Sequence, residues 1–224
     1  MQTKQPTLKP PVLPKKFLGR TLPGGQLVPY GRYGQLSLTR EQFNGQHAEH
    51  LSFEEMLFKQ VGLSATELAH ARFVDSRLSA CDLANAHWSQ ADCARVELLD
   101  CRLTGFRATE SRWQDVLFKD CQASLAQFRF ATFKTARFEH CDLSDADFQG
   151  ADLTGVVFVA CDLSRVELSG AKLAGADLRD CVLDGVHAGL SELHGAIIDP
   201  SQALALVQAF GIVVVWPGQG AHET

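Results

Sequence analysis

The chain has 224 residues, enough for one domain of ordinary size, with 46% apolar side chains and a formal net charge of −5. That apolar fraction allows a sizeable core, the acidic balance argues against general affinity for nucleic acid, and no run of about 18 apolar residues marks a membrane span. Seven cysteines, an odd number, with no apolar leader in MQTKQPTLKPPVLPKKF, argue against a disulfide framework and make the cytoplasm the expected compartment.

Residues 1–16 contain four Pro and four Lys and are expected to form a flexible, extended arm. Residues 17–50 read as a partly irregular N-terminal cap, because Leu22–Leu38 mixes Gly and Pro with two Tyr; HAEHLSFEEMLF then leads into a repeat.

From Phe53 to Ile198, every fifth residue is apolar, at 30 consecutive sites without a slip or an interrupting loop. The stretch 141–180 shows the unit most plainly: CDLSD ADFQG ADLTG VVFVA CDLSR VELSG AKLAG ADLRD. A smaller residue, usually Ala, Cys or Val, precedes each large one by two positions. A period of five fits neither an α-helix nor a simple strand, but residues two apart on an extended segment share a side. Each unit is therefore a short extended piece with two inward side chains, followed by a turn. Cys81, Cys101, Cys121, Cys141, Cys161 and Cys181 recur every 20 residues at the small inward site, which predicts four units per coil and one cysteine column. Residues 51–198 then form an all-β solenoid of about 7.5 coils, about 36 Å long at a strand spacing of about 4.8 Å. Phe118, Phe128, Phe133, Phe138, Phe148 and Phe158 fall on inward sites and join the cysteines as the structural ladder.

Raw solenoid ends need caps. Asp199 suits an N-cap, Pro200 the first helical position and Gly211 the position after the helix. Ala203, Leu204, Leu206, Val207 and Phe210 make that helix apolar on more than one side, and Ile212–Trp216 reads as a short strand. Residues 199–216 are thus expected to cap the rod. Leu204, Val207, Phe210, Val214 and Trp216 form a candidate dimer or cap surface, and 217–224 a flexible tail.

At these residues the sequence resembles the pentapeptide-repeat family, whose consensus is A(D/N)LXX, over about two-thirds of the chain. The resemblance implies a right-handed quadrilateral β-helix. Some members protect DNA gyrase and topoisomerase IV from quinolones or natural toxins as acidic, rod-shaped dimers resembling B-DNA, joined through the C-terminal helix region and often carrying projecting loops. DCQASLAQFRFATF and GAIIDPSQALALVQAFGI look like a bacterial subgroup of that kind, although no projecting loop interrupts this repeat.

No Ser–His–Asp, P-loop, GxGxxG or HExxH pattern is present, and a rod without loops offers little scaffold for an active site. An enzyme is not expected, nor a cofactor, a small-molecule substrate or a metal. Cysteines strung along an axis do not converge on an ion and read instead as small hydrophobes. His47 and His50 lack a second pair, and His87 and His187 fall on one face five coils apart. Asp recurs just before the large inward residue, where turn chemistry and solubility account for it.

Charge is the remaining signal. Residues 51–199 carry 23 acidic and 14 basic side chains, and the first 50 residues two acidic and seven basic. From Arg102 to Arg137 seven bases face three acids, whereas from Asp142 to Asp184 nine acids face three bases. Asp142, Asp147, Asp152, Asp162, Glu167 and Asp177 therefore form a candidate partner-facing acidic tract. The expected function is a non-enzymatic scaffold that binds a protein partner through the faces of the rod. The alternative is a DNA mimic, dimeric through its C-terminal end, that shields a type II topoisomerase.

Overall fold

The computed structural model describes residues 7–209 and 211–215. Nine strands and one helix carry the fold. Four short strands come first: β1 (Arg32–Gly34), β2 (Ser37–Thr39), β3 (Ser52–Glu54) and β4 (Leu57–Lys59). Four strands of eight residues follow: β5 (Arg72–Ser79), β6 (Asp92–Leu99), β7 (Arg112–Lys119) and β8 (Thr132–Glu139). The short β9 (Val157–Val159) and helix α1 (Pro200–Ala209) complete the order. All pairing is parallel, and partners lie 20 residues apart, from Arg32↔Ser52 in β1–β3 to Asp177↔Ile197 at the far end.

Each coil presents four faces, recognisable by their paired columns. The first face carries Arg32, Ser52, Arg72, Asp92 and Arg112, and the second Ser37, Leu57, Arg77 and Glu97. The third carries Asp82, Arg102, Gln122, Asp142 and Asp162, and the fourth His47, Glu67, His87, Arg107, Gln127, Asp147 and Glu167. The protein is a parallel all-β solenoid closed at one end by a single helix.

The turn between faces is uniform. Every fifth residue from Tyr30 to Gly185 has positive φ, between 48° and 62° where it is not glycine. A side chain in the left-handed region costs roughly 1–2 kcal/mol. Hydrogen bonds from coil to coil offset that cost: the corner N–H of Asp145 donates to Ser164 O at 2.9 Å, and that of Arg40 to Lys59 O at 3.0 Å.

Both inward sites of each unit are buried across the middle of the rod. Phe118, Phe138 and Phe158 stack in one column, with ring centroids 4.5 and 5.0 Å apart, and Phe128 and Phe148 stack in another at 5.1 Å. Phe133 lies parallel to Trp113 in a third. Where a polar residue takes the small inward site, the backbone receives its hydroxyl: Thr66 donates to Leu63 O and Ser76 to Val74 O.

The 20-residue register begins earlier than the residue 51 boundary read from the sequence, since β1 and β2 already pair with β3 and β4. Tyr33, Leu38, Phe43 and Ala48 hold the large inward site in those coils and are buried. Glu41 and Gln46 replace the usual Ala or Cys at the small site, and this masks the repeat in the sequence. The later residues of the N-terminal arm lie against the rod: Val12 N–H donates to Asp75 Oδ1 at 2.9 Å and Lys9 N–H to Asp115 Oδ1 at 3.4 Å. Residues 1–6 of that arm lie outside the described residues.

At the other end, α1 is joined to the last coil by a reciprocal box. Gln202 N–H donates to Asp199 Oδ1 at 3.0 Å, and Asp199 N–H donates to Gln202 Oε1 at 2.9 Å. Ser201 and Gln202 donate to the Asp199 carboxylate and hold its pKa below the ordinary carboxylate value. Gln202 Nε2 donates to both Leu178 O and Cys181 O at 2.7 Å, closing the open carbonyls of the final coil. Gly211, at φ 76°, ends the helix with Gly211 N–H on Gln208 O and Ile212 N–H on Val207 O, a Schellman closure. Residues 212–215 form no strand, in contrast to the expectation for Ile212–Trp216; Ile212, Val213 and Val215 are exposed. Among the described residues no strand lies beside them, and the Ile212 N–H is used in the helix closure. Phe210, Trp216 and the tail 217–224 lie outside the described residues.

Candidate interaction surfaces

The Asp that precedes each large inward residue has a local task. Its carboxylate accepts the N–H two residues on: Ser144 to Asp142 at 3.0 Å, Gln149 to Asp147 at 2.9 Å, Thr154 to Asp152 at 3.1 Å and Ser164 to Asp162 at 2.8 Å. Glu167 and Asp177 do the same for Ser169 and Arg179. This Asx-type bond satisfies a donor where the chain enters the corner, so the residue type follows from turn chemistry.

The fold does not gather the six residues of the acidic tract on one side. Asp142 and Asp162 share the third face, and Asp147 and Glu167 the fourth, while Asp152 lies on the first face and Asp177 on the second. Several are matched by cations: Asp147 by Arg129, Asp152 by Lys172 at 3.6 Å, and Asp177 by Arg179 at 2.7 Å. Among the described residues, Asp142 and Asp162 make no ion pair. The basic middle is divided in the same way, with Arg102 on Asp82 and with Lys119 and Arg137 both on Glu139. Three of these six pairs join residues 20 apart, which stand side by side on neighbouring coils. Where both partners are solvent-exposed, such a pair contributes about 0–1 kcal/mol.

One pair also holds the N-terminal chain. Asp75, at a corner between the first and second faces, receives a two-pronged contact from Arg95, with both N–O distances 2.6 Å. The guanidinium holds the Asp75 pKa below the ordinary carboxylate value against the opposing effect of burial, and the Val12 N–H adds to it. Asp75 thus ties two coils and the N-terminal chain together.

The six cysteines of the 20-residue series form one buried column behind the third face, and all seven cysteines are unbridged. Cys121 Sγ donates to Leu98 O at 3.3 Å and Cys161 Sγ to Phe138 O at 3.5 Å. Burial pushes the Cys93 thiol well above its ordinary value. Among the described residues no three His, Cys, Asp or Glu side chains converge on a metal position. No helix of the described residues is long and apolar enough to cross a membrane.

Two surface features escaped the sequence reading. Tyr30, His50 and His70 stack at successive corners, with ring centroids 5.0 and 4.6 Å apart and planes within 9°. The 20-residue period that aligned the cysteines aligns these rings too, but at the corner position. Leu125 and Phe130, 57% and 59% exposed, stand on the two corners that bracket the fourth face. Phe130 lies over Gly150, where a Cβ would meet its Cδ1 at 2.5 Å.

A rod of four-faced coils built on a five-residue unit, with turn-forming Asp and a left-handed residue at each corner, defines a class of β-solenoid. Family models described as pentapeptide repeats (8 copies) and pentapeptide repeat region match residues 71–107 and 131–202. The chain carries pentapeptide repeats over those residues. No curated protein matches it. Among solved structures, full-length QnrB1, a plasmid-mediated fluoroquinolone resistance protein, is 21% identical, with 81% of this chain and 100% of that one covered and a TM-score of 0.32. HetL, a pentapeptide repeat protein involved in heterocyst differentiation regulation from the cyanobacterium Nostoc sp. strain PCC 7120, is 18% identical over 76% of this chain and 90% of its own, with a TM-score of 0.27. Rfr23 from the cyanobacterium Cyanothece 51142 is 13% identical over 70% and 91%, with a TM-score of 0.27. Nothing about a ligand or partner follows from likenesses this distant.

Proposed function

We propose that this protein is a non-enzymatic scaffold that binds another macromolecule through the faces of its rod. The observation that carries this reading is the pair Leu125 and Phe130. Both occupy corners with φ 59° and 56°, where a bulky side chain costs backbone energy, and both expose their apolar surface, yet neither contributes to the core. Between and beside them on the fourth face stand Arg107, Gln127 and Arg129. Aromatic side chains beside Arg are enriched in protein interfaces, and Leu125 adds apolar area next to Phe130. A photo-reactive residue at position 130 should give one discrete adduct in cells, lost with Leu125→Asp, and the same group at position 144 on the third face should not. Equal labelling from both positions, or none from 130, removes this reading.

A second reading, topoisomerase protection by an acidic surface, is favoured by the unpaired, in-register Asp142 and Asp162 on the third face. Ile212, Val213 and Val215, exposed beyond α1, supply apolar surface for pairing two chains end to end. A gyrase supercoiling assay with a fluoroquinolone tests it. Protection by the parent and its loss in Asp142→Lys/Asp162→Lys is the expected pattern, and the absence of protection by a chain shown to be dimeric excludes it.

A further inference from the structure

The first face carries a second site, distinct from the Leu125–Phe130 patch. β1, β3 and the start of β5 place Arg32, Ser52 and Arg72 in one column, Arg32 in register with Ser52 and Ser52 with Arg72. At about 4.8 Å per strand, the two arginine stems rise about 10 Å apart with a hydroxyl between them. Arg77, Arg95, Arg102, Arg129, Arg165 and Arg179 all have carboxylate partners. The guanidiniums of Arg32 and Arg72 have neither an ion pair nor a hydrogen bond among the described residues, although the chain is acidic overall. Arg112, farther along this face, also lacks an ion pair among the described residues, but only Arg32 and Arg72, two coils apart, line one depression with their charge available to a ligand.

Together with their neighbours these residues line an open, shallow depression of about 480 Å³ on the surface of the rod. Its wall on one side is the corner stack, with His50 and His70 lining the space. On the opposite side lie Gly34 and Glu54. Gly34 leaves that side low, since a Cβ there would meet nothing nearer than the Glu54 carbonyl at 3.5 Å. Beyond it the N-terminal chain is fastened by Leu18 N–H on Gln35 O at 2.7 Å. The depression is therefore walled by the histidine stack and open on its Gly34 side.

We infer that this depression binds a small organic phosphate, with the phosphoryl group between Arg32 and Arg72 and hydroxyl groups of the organic part turned toward Glu54. Two guanidiniums match a phosphate by paired N–H donors, and the Ser52 hydroxyl and the imidazole edges add donors around it. Glu54 discriminates. Its carboxylate repels a bare phosphate ion but accepts hydrogen bonds from a sugar's hydroxyls, the part that an acidic residue plays toward ribose in dinucleotide sites. Free and sugar-linked phosphate share the Arg contacts and differ at Glu54.

Titration calorimetry on the full chain with ribose 5-phosphate, inorganic phosphate and ribose tests this. Ribose 5-phosphate should bind at least tenfold more tightly than inorganic phosphate, and ribose alone should give no signal. Arg32→Ala or Arg72→Ala should weaken ribose 5-phosphate at least tenfold, whereas Arg112→Ala, farther along the same face, should not. Glu54→Gln should shrink the preference over inorganic phosphate toward unity. The targeted side chains point outward, and an unchanged melting curve verifies that each variant is folded. No heat with millimolar ribose 5-phosphate, binding indifferent to both arginines, or inorganic phosphate binding as tightly as the sugar phosphate overturns the proposal.

Discussion

The middle coils and the C-terminal coils solve the same folding problem differently. From Arg72 to Glu139, strands of eight residues run through two faces and across the corner between them, with Asp75, Arg95, Asp115 and Thr135 as the corner residues. In the C-terminal coils those corners are Gly155 and Gly175, and β9 is the one named strand, with three residues. The middle accepts side chains in the left-handed region and recovers energy through pairs such as Asp75–Arg95 and through wide inward aromatics. The C-terminal coils place glycine at that corner, fill much of the inside with Leu and Ala, and rely on α1 for closure. A repeat can therefore keep its period while moving its stability from side-chain ladders to an end cap.

The largest expected effect breaks the aromatic side of this comparison. Phe138→Ala, which removes a ring stacked between Phe118 and Phe158, should cost about 3–5 kcal/mol in chemical denaturation. Leu168→Ala in the C-terminal coils should cost less; an equal or greater loss there would mean that the aromatic columns are not the stronger half.

Next is the cap. Gln202→Ala strands the Leu178 and Cys181 carbonyls and opens the box with Asp199, at about 1–3 kcal/mol. Hydrogen exchange should show lost protection in α1 and the final coil, with β5 to β8 unchanged. Uniform loss along the rod would show that the end does not open separately.

The two tryptophans sharpen the account of the middle. Trp113 Nε1 donates to Ser111 Oγ at 2.7 Å, whereas Trp88 Nε1 is buried without a partner. Trp113→Phe should cost about 1 kcal/mol more than Trp88→Phe, since only the first breaks a hydrogen bond. Equal losses would point to ring volume alone.

Acid should loosen the tie between coils and arm. The folded-state pKa of Asp75 lies below its unfolded value of about 3.9, so its contribution is present in full above that value and is lost as pH falls through the depressed folded pKa. Arg95→Ala should reduce the slope of stability against pH in that acidic range, measured by thermal melts, and an unaltered slope would remove Asp75 from the account. The smallest effect belongs to the corners. Ala160→Gly, at φ 48°, should be neutral or stabilising, and Gly155→Ala, at φ 70° in open space, should destabilise by about 1 kcal/mol.

The core was legible because inward positions obey local rules. Alternation on an extended unit decides which two residues point inside, and the cysteines at intervals of 20 disclose the coil length. The helix could be read from Asp199, Pro200 and Gly211 for the same reason, since caps are made by neighbours in sequence. Gln202 was missed because its main partners, Leu178 and Cys181, lie in the previous coil. The first coils were missed because Glu41 and Gln46 depart from the small-residue habit while Tyr33 and Phe43 keep the inward one.

The amino-acid order by itself determined the period, the inside and outside of every unit, and the closing helix, all consequences of short-range geometry repeated many times. Tertiary structure alone decided which outward residues meet. It spread the acidic tract over four faces, docked the N-terminal arm on Asp75 and Asp115, stacked Tyr30, His50 and His70, and left Arg32 and Arg72 without carboxylates. The physical reason is that outward side chains interact across coils, where register and corner position set each neighbour, and no local rule along the chain encodes those contacts.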